Sequence, residues 1–284
     1  MRLAVALAAA ALALAAAGVA VSAPARTLAP YRGAGSWVSV YDGGAWAHPD
    51  GVVRTLAAHH VHTLFVQTAN DDLRRDVFRP AALGRLIDDA HAAGLSVVGW
   101  YLPSLATPAR DVRRALAGAR FRSASGEGFD SFALDIEATN VRSLALRDRR
   151  AVAFAAAVRR SLPAQTAIGA ITPDPTGALY WRDFPFAQLA PWVDVFLPME
   201  YFTFRTSGAA GVSRYTAANI VAIRGAVGDA RFPVHAIGGD ALGATASELH
   251  AFFGAAARSD TVGVSLWEYG ETSPAQWAAL GAAA

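Results

Sequence analysis

A strand pattern followed by a helix pattern recurs about eight times between residue 36 and the C-terminus, and this alternation constrains the fold more than any other feature. The apolar strand-like runs are 36–41 (SWVSVY), 61–67 (VHTLFVQ), 95–101 (LSVVGWY), 129–137 (FDSFALDIE), 167–172 (AIGAIT), 193–201 (VDVFLPMEY), 233–238 (PVHAIG) and 262–268 (VGVSLWE). Between them, helical patterns are expected over 51–59, 81–93 after Pro80, 108–119, 143–161, 217–227 and 245–257, with a last helix from Ser273. Proline at helix starts and glycine after helix ends mark the boundaries. Thr245 with Glu248, and Ser273 with Gln276, have the spacing of capping boxes. Residues 176–191 read as an irregular, aromatic-rich helical stretch. Eight such units in about 250 residues predict an α/β fold, a single parallel (β/α)8 TIM barrel over residues 35–284. An open doubly wound sheet is the competing reading. It would want a glycine-rich phosphate loop after the first strand, and Asp42-Gly43-Gly44 is not one.

The fourth strand carries the most chemistry. Side chains alternate along a strand, so Phe132, Leu134 and Ile136 share one face while Ser131, Ala133, Asp135 and Glu137 share the other. In a barrel the first set meets the helices. The second lines the interior and ends in two acids at the carboxyl-terminal mouth, where barrel active sites lie. Two carboxylates on one face repel, which raises the pKa of one of them. A rim salt bridge or a helix cap is the bland alternative for this pair.

The other strand ends add acids and aromatics: Asp42, Gln67, Trp100, Tyr101, Asp174, Glu200, Tyr201, Asp240, Trp267 and Glu268. Aromatic faces stack on sugar rings, and carboxylates hold hydroxyls or move protons. Phosphate chemistry would want arginine or backbone amides at the mouth instead. Glu200 differs in parity from Met199 and Tyr201, so it would have to act from the rim.

Composition removes several classes. The chain has no cysteine, which excludes thiol nucleophiles, thiolate metal sites and disulfides. All 25 basic residues are arginine, so no lysine can form a Schiff base. A formal charge of +2 without a basic run gives no nucleic-acid footprint. His59, His60 and His62 fall before the second strand, at the amino-terminal face, where a structural or solvated role is expected; no metal site and no cofactor are expected. Residues 1–23 read as a signal peptide, with Arg2, an Ala/Leu run and small residues at 21–23; an uncleaved N-terminal anchor is the alternative. Residues 24–34 read as a linker outside the fold. An extracytoplasmic location, secreted or at the cell surface, follows as an expectation.

The run Phe129–Glu137 resembles the fourth-strand motif of family 18 glycoside hydrolases, chitinases and their relatives, commonly FDGxDxDxE. Asp130, Asp135 and Glu137 match, while Ser131 replaces the glycine and Ala133 the middle aspartate. Met199-Glu200-Tyr201-Phe202 is similar to the family's sixth-strand M-x-Y-D, with Phe202 in place of the aspartate, and Trp267 matches the eighth-strand tryptophan that floors the sugar site. The Asp-x-Glu strand end also resembles the lysozyme-like family 25 barrels, where an acid on the first strand, here Asp42, joins the site. The family 18 resemblance implies a substrate-assisted glycosidase. In it Glu137 is the general acid, Asp135 orients an N-acetyl group or stabilises an oxazolinium, and Tyr201 hydrogen-bonds that group. Asp42, Gln67, Trp100, Tyr101, Glu200 and Trp267 would contact substrate. The expected partner is a polysaccharide or cell-wall glycan containing N-acetylhexosamine or a related sugar. Two other readings stay open: a weak or inactive glycan-binding barrel, favoured by Ala133 and Phe202, and a metal-dependent hydrolase using Asp135 and Glu137.

Overall fold

A computed structural model describes residues 26–283; the expected signal peptide lies outside the described residues. Eight parallel strands close into a barrel in sequence order. They are β1 (Gly33–Val38), β2 (Thr63–Asn70), β3 (Ser96–Leu102), β4 (Ser131–Asp135), β5 (Ile168–Pro173), β6 (Val195–Glu200), β7 (His235–Asp240) and β8 (Gly263–Trp267). The helices are α1 (Gly43–Ala47), α2 (Pro49–Ala58), α3 (Pro80–Ala92), α4 (Pro108–Ala119), α5 (Leu144–Ser161), α6 (Phe186–Leu189), α7 (Ala209–Val227), α8 (Ala246–Arg258) and α9 (Pro274–Gly281). β1 pairs with β8, Gly33 opposite Gly263, which seals the barrel and leaves no sheet edge. Among the described residues no helix is long and apolar enough to cross a membrane.

Local chemistry accounts for the helix boundaries. Proline occupies the first turn of α2, α3, α4 and α9. Both capping boxes form: the Thr245 side chain accepts from the Glu248 amide, the Ser273 side chain from the Gln276 amide, and each acceptor is answered reciprocally. Ser143 caps α5. Gly228 ends α7 at φ 77°, a conformation that costs glycine little.

Alternation then sorts side chains into two layers. Phe132, Leu134 and Ile136 pack against α5 residues such as Phe154, in the layer between barrel and helices. Trp37, Phe65, Val98, Trp100, Ala133, Ile171, Leu197, Met199 and Ile237 fill the interior. These are the faces the sequence predicts for β4.

The linker expectation for residues 24–34 is corrected at its C-terminal half. Residues 29–31 form a 3-10 turn, β1 begins at Gly33, and both Tyr31 and Ala34 are fully buried. Tyr31 plugs the amino-terminal end of the barrel. Its hydroxyl donates to the Phe132 carbonyl at 3.1 Å, and the Ser131 hydroxyl lies 2.8 Å from it. Gly169 makes room for the phenol, since a Cβ there would sit 2.9 Å from the Tyr31 oxygen. Polar, proline-containing composition hid a segment that is held by one aromatic anchor.

Candidate active site

The carboxyl ends of the strands enclose a cavity of about 280 Å3, near the low end of small-molecule sites, roughly 300–1,000 Å3. Its lining is Trp37, Ser39 and Tyr41 from the first strand and its extension, Gln67, Trp100, Leu102, Asp135, Glu137, Ile171, Met199, Tyr201, Ile237 and Trp267. Each strand sends in residues of one parity, which is why no two sequence neighbours both face the cavity.

Three indoles form the floor and wall. Trp37 and Trp100 lie 5.9 Å apart, Trp37 and Trp267 6.1 Å, and Trp100 and Trp267 5.9 Å. Trp37 is fixed from below by stacking on Phe65 at 4.2 Å and by donating its indole N–H to Ser265 Oγ at 2.8 Å. Tyr201 adds a fourth ring, 6.5 Å from Trp267. The Trp267–Glu268 peptide is cis. Gln67 is oriented by the Val40 amide, which donates to its Oε1 at 2.9 Å, and the Tyr41 hydroxyl accepts from Asn70 Nδ2 at 2.7 Å.

Asp135 and Glu137 enter from β4, two residues apart and so roughly 6.6 Å apart along the strand direction. Asp135 is buried, and its Oδ1 has no hydrogen-bond partner. Burial, and then the charge of Glu137, hold the Asp135 carboxyl well above the usual carboxylate range. Burial raises Glu137 as well. Two such groups cannot both ionise cheaply, so the pair retains a proton at pH values where an exposed carboxylate has lost its own. Burial together with the two carboxylates also raises the phenols of Tyr201 and Tyr180, keeping both protonated and able to donate.

Of the residues expected at the mouth, Glu137, Asp135, Tyr201, Gln67, Trp100 and Trp267 line this cavity, while Asp42, Tyr101, Asp174, Glu200 and Glu268 do not. Tyr101 is turned to the outer layer beside Phe154, where its hydroxyl donates to Asp111 at 3.0 Å. Glu200 is fully buried on the outer face of β6, against Thr216 of α7 and near Asp174, so it reaches neither mouth nor rim. Strand parity sends both away. Asp42 caps α1, its Oδ1 accepting from the Ala45 amide at 2.9 Å. Asp174 is also buried outside the cavity, paired with Arg205 at 3.2 Å and accepting from the Tyr215 hydroxyl.

The motif positions separate in the same way. Asp130 lies at the opposite end of β4, accepting from the Val97 amide at 2.7 Å and facing His91 at 3.0 Å; it ties strands together. Phe202 is buried against Phe252 in the outer layer. His59 stacks on Trp277 at the amino-terminal face, and among the described residues no group of three or more His, Asp or Glu is arranged to hold a metal. Sequence reasoning missed Trp37, Ser39 and Tyr41, although they share one parity along β1 and its extension. It also missed Leu102 and Met199, which continue the parity of Trp100 and Tyr201.

No family model matches the chain, and no curated protein matches it in sequence. Its structure does find neighbours. A family 18 N-acetylglucosaminidase from Paenibacillus barengoltzii superposes with a TM-score of 0.61 at 11% identity, over 89% of this chain and 100% of that one. A chitinase from Bacteroides thetaiotaomicron gives 0.65 at 8%, over 89% and 96%. An endo-β-1,4-mannanase from Thermotoga petrophila gives 0.64 at 10%, over 84% and 68%. The chain is therefore a single (β/α)8 barrel that shares its fold with family 18 chitinases and mannanase-type glycoside hydrolases.

Proposed function

We propose that this chain is an exported glycoside hydrolase that cleaves a polysaccharide containing N-acetylhexosamine or a related sugar. The observation that carries the reading is the Asp135–Glu137 pair in a tryptophan-walled cavity at the barrel mouth, where burial pushes both carboxyls above the usual carboxylate range. Glu137, the more exposed of the two, gives its proton to the glycosidic oxygen as the C1–O bond breaks. The 2-acetamido oxygen attacks C1 to form an oxazolinium, whose N–H faces Asp135. Tyr201 donates to the acetamido group. Glu137, now a carboxylate, takes a proton from water as that water attacks C1 and reopens the ring. This is the substrate-assisted variant of two-carboxylate glycoside hydrolysis. The tryptophans supply stacking surface for an apolar sugar face.

A barrel that holds glycan without cutting it is the second reading. Ala133 favours it, because the interior position below Asp135 carries no acid to share its charge. Reducing-end release by wild type and Glu137→Gln, on chitin oligomers, peptidoglycan and amino-sugar polymers, separates the two. Release by wild type alone supports the hydrolase; binding without release by either protein supports the second reading. Retained activity in Glu137→Gln overturns the acid assignment. Activity lost on chelation would move Asp135 and Glu137 to a metal-assisted reaction.

A further inference from the structure

The cavity does not end at Glu137. A second, open compartment of about 390 Å3 adjoins it, lined by Asp71, Leu102, Glu137, Thr139, Asn140 and Tyr180 among others. The two spaces share Leu102 and Glu137, so the Glu137 carboxyl stands in the partition between them. An acid placed in a partition reaches a bond whose halves lie on either side.

The two compartments differ in character. The first is walled by indoles; the second offers carboxylate, hydroxyl and amide groups beside one phenol. Tyr180 is 42% exposed yet firmly mounted. Its carbonyl accepts from Arg147 Nη1 at 3.0 Å. The next residue, Trp181, is buried, donates its indole N–H to Asp148 at 2.7 Å and packs its ring 4.7 Å from the Arg147 guanidinium carbon. With Glu137 carrying the proton it donates, Asp71 is the negative charge of the second compartment's lining, which holds no arginine or histidine. Asp71 is itself crowded by Asp72 and Asp111, with Arg110 the nearby counter-charge.

We propose that this compartment receives the leaving half of the cleaved bond, as a neutral sugar ring stacked on Tyr180, and rejects a ring bearing an anionic substituent. The proposal rests on the glycosidase reading and narrows it to substrates with sugars on both sides of the scissile bond and no acid on the leaving side. The test compares kcat/KM on a neutral N-acetylglucosamine trimer, on an aryl N-acetylglucosaminide, and on an oligomer with a carboxylate-bearing N-acetylmuramic acid ring on the leaving side. Wild type should favour the neutral oligomer over the anionic one by about tenfold or more, and Asp71→Asn should narrow that gap. Tyr180→Ala should lower the trimer-to-aryl ratio about fivefold, while Tyr180→Phe keeps it within about twofold. Equal or better use of the anionic oligomer, or an unmoved ratio in Tyr180→Ala, overturns the proposal and leaves the glycosidase reading standing. Calorimetry of the same two oligomers on Glu137→Gln asks the compartment question without turnover. Equal binding of both there overturns it independently.

Discussion

Removing the Tyr31 side chain should unseat the barrel floor, and the structure sets the size of the effect. The ring is fully buried, 6.3 Å from Phe65, with its hydroxyl between the Phe132 carbonyl and the Ser131 hydroxyl. The Tyr31 carbonyl also lies 2.8 Å from His235 Nδ1. Truncating a buried aromatic costs about 3–5 kcal/mol. Each hydrogen bond left unmade adds about 1 kcal/mol. Tyr31→Ala should therefore lose about 4–6 kcal/mol, a large share of the roughly 5–15 kcal/mol that holds a typical domain. Tyr31→Phe should lose only about 1–2 kcal/mol, because Phe132 loses its donor while Ser131 still has the Ala167 carbonyl at 2.8 Å. A chain beginning at residue 35 lacks the plug altogether and should unfold at least as early as Tyr31→Ala. Urea unfolding followed by far-ultraviolet circular dichroism measures all three. If Tyr31→Ala lies within about 1 kcal/mol of wild type, or the shortened chain is equally stable, the plug is not part of the core and the reasoning fails.

Three further outcomes are expected. Glu137→Gln should lower kcat on a responsive glycan by about 10^2- to 10^4-fold while the melting temperature stays within a few degrees; a smaller loss would remove Glu137 from proton transfer. Asp135 has a folded-state pKa above its unfolded value, so the fold penalises its ionised form, and that penalty is absent at low pH and grows as pH rises through the folded value. Asp135→Asn should thus be more stable than wild type at neutral pH and converge with it near about pH 3, and urea midpoints across that range would reveal the opposite trend. His235 is fully buried and its pKa is pushed down to about 4 by burial. The fold keeps it neutral while the unfolded chain takes up a proton. Its contribution is intact above about pH 6.5 and falls away toward pH 4, by roughly 3 kcal/mol, and His235→Asn should flatten that slope in the same titration.

The architecture was legible because it is periodic. Strand alternation, proline at helix starts and two capping boxes are local signals, and each formed where its residues stand. The site was legible where the same alternation was applied, as for Asp135 and Glu137, and illegible where a strand end was treated as one position. Trp100 and Tyr101 are adjacent, yet one enters the cavity and the other meets Asp111 behind the wall. Glu200 follows the same rule, lying behind β6 while Met199 and Tyr201 face in. Tyr180 had no periodic signal, because its position depends on the path of a loop pinned by Trp181 and Arg147. Tyr31 was hidden for a different reason. One buried aromatic among polar and proline residues leaves no pattern, and its partners lie about a hundred residues away.

The three neighbouring indoles at the cavity floor also give the molecule a built-in optical reporter. Trp37, Trp100 and Trp267 are close enough for their excited states to mix. Such a cluster produces a paired dichroic band in the far ultraviolet, from the strong indole transition there, that isolated tryptophans lack. A sugar ring settling on these faces would change both the band and the emission, so occupancy of the cavity can be followed without a label, including in variants that no longer turn over.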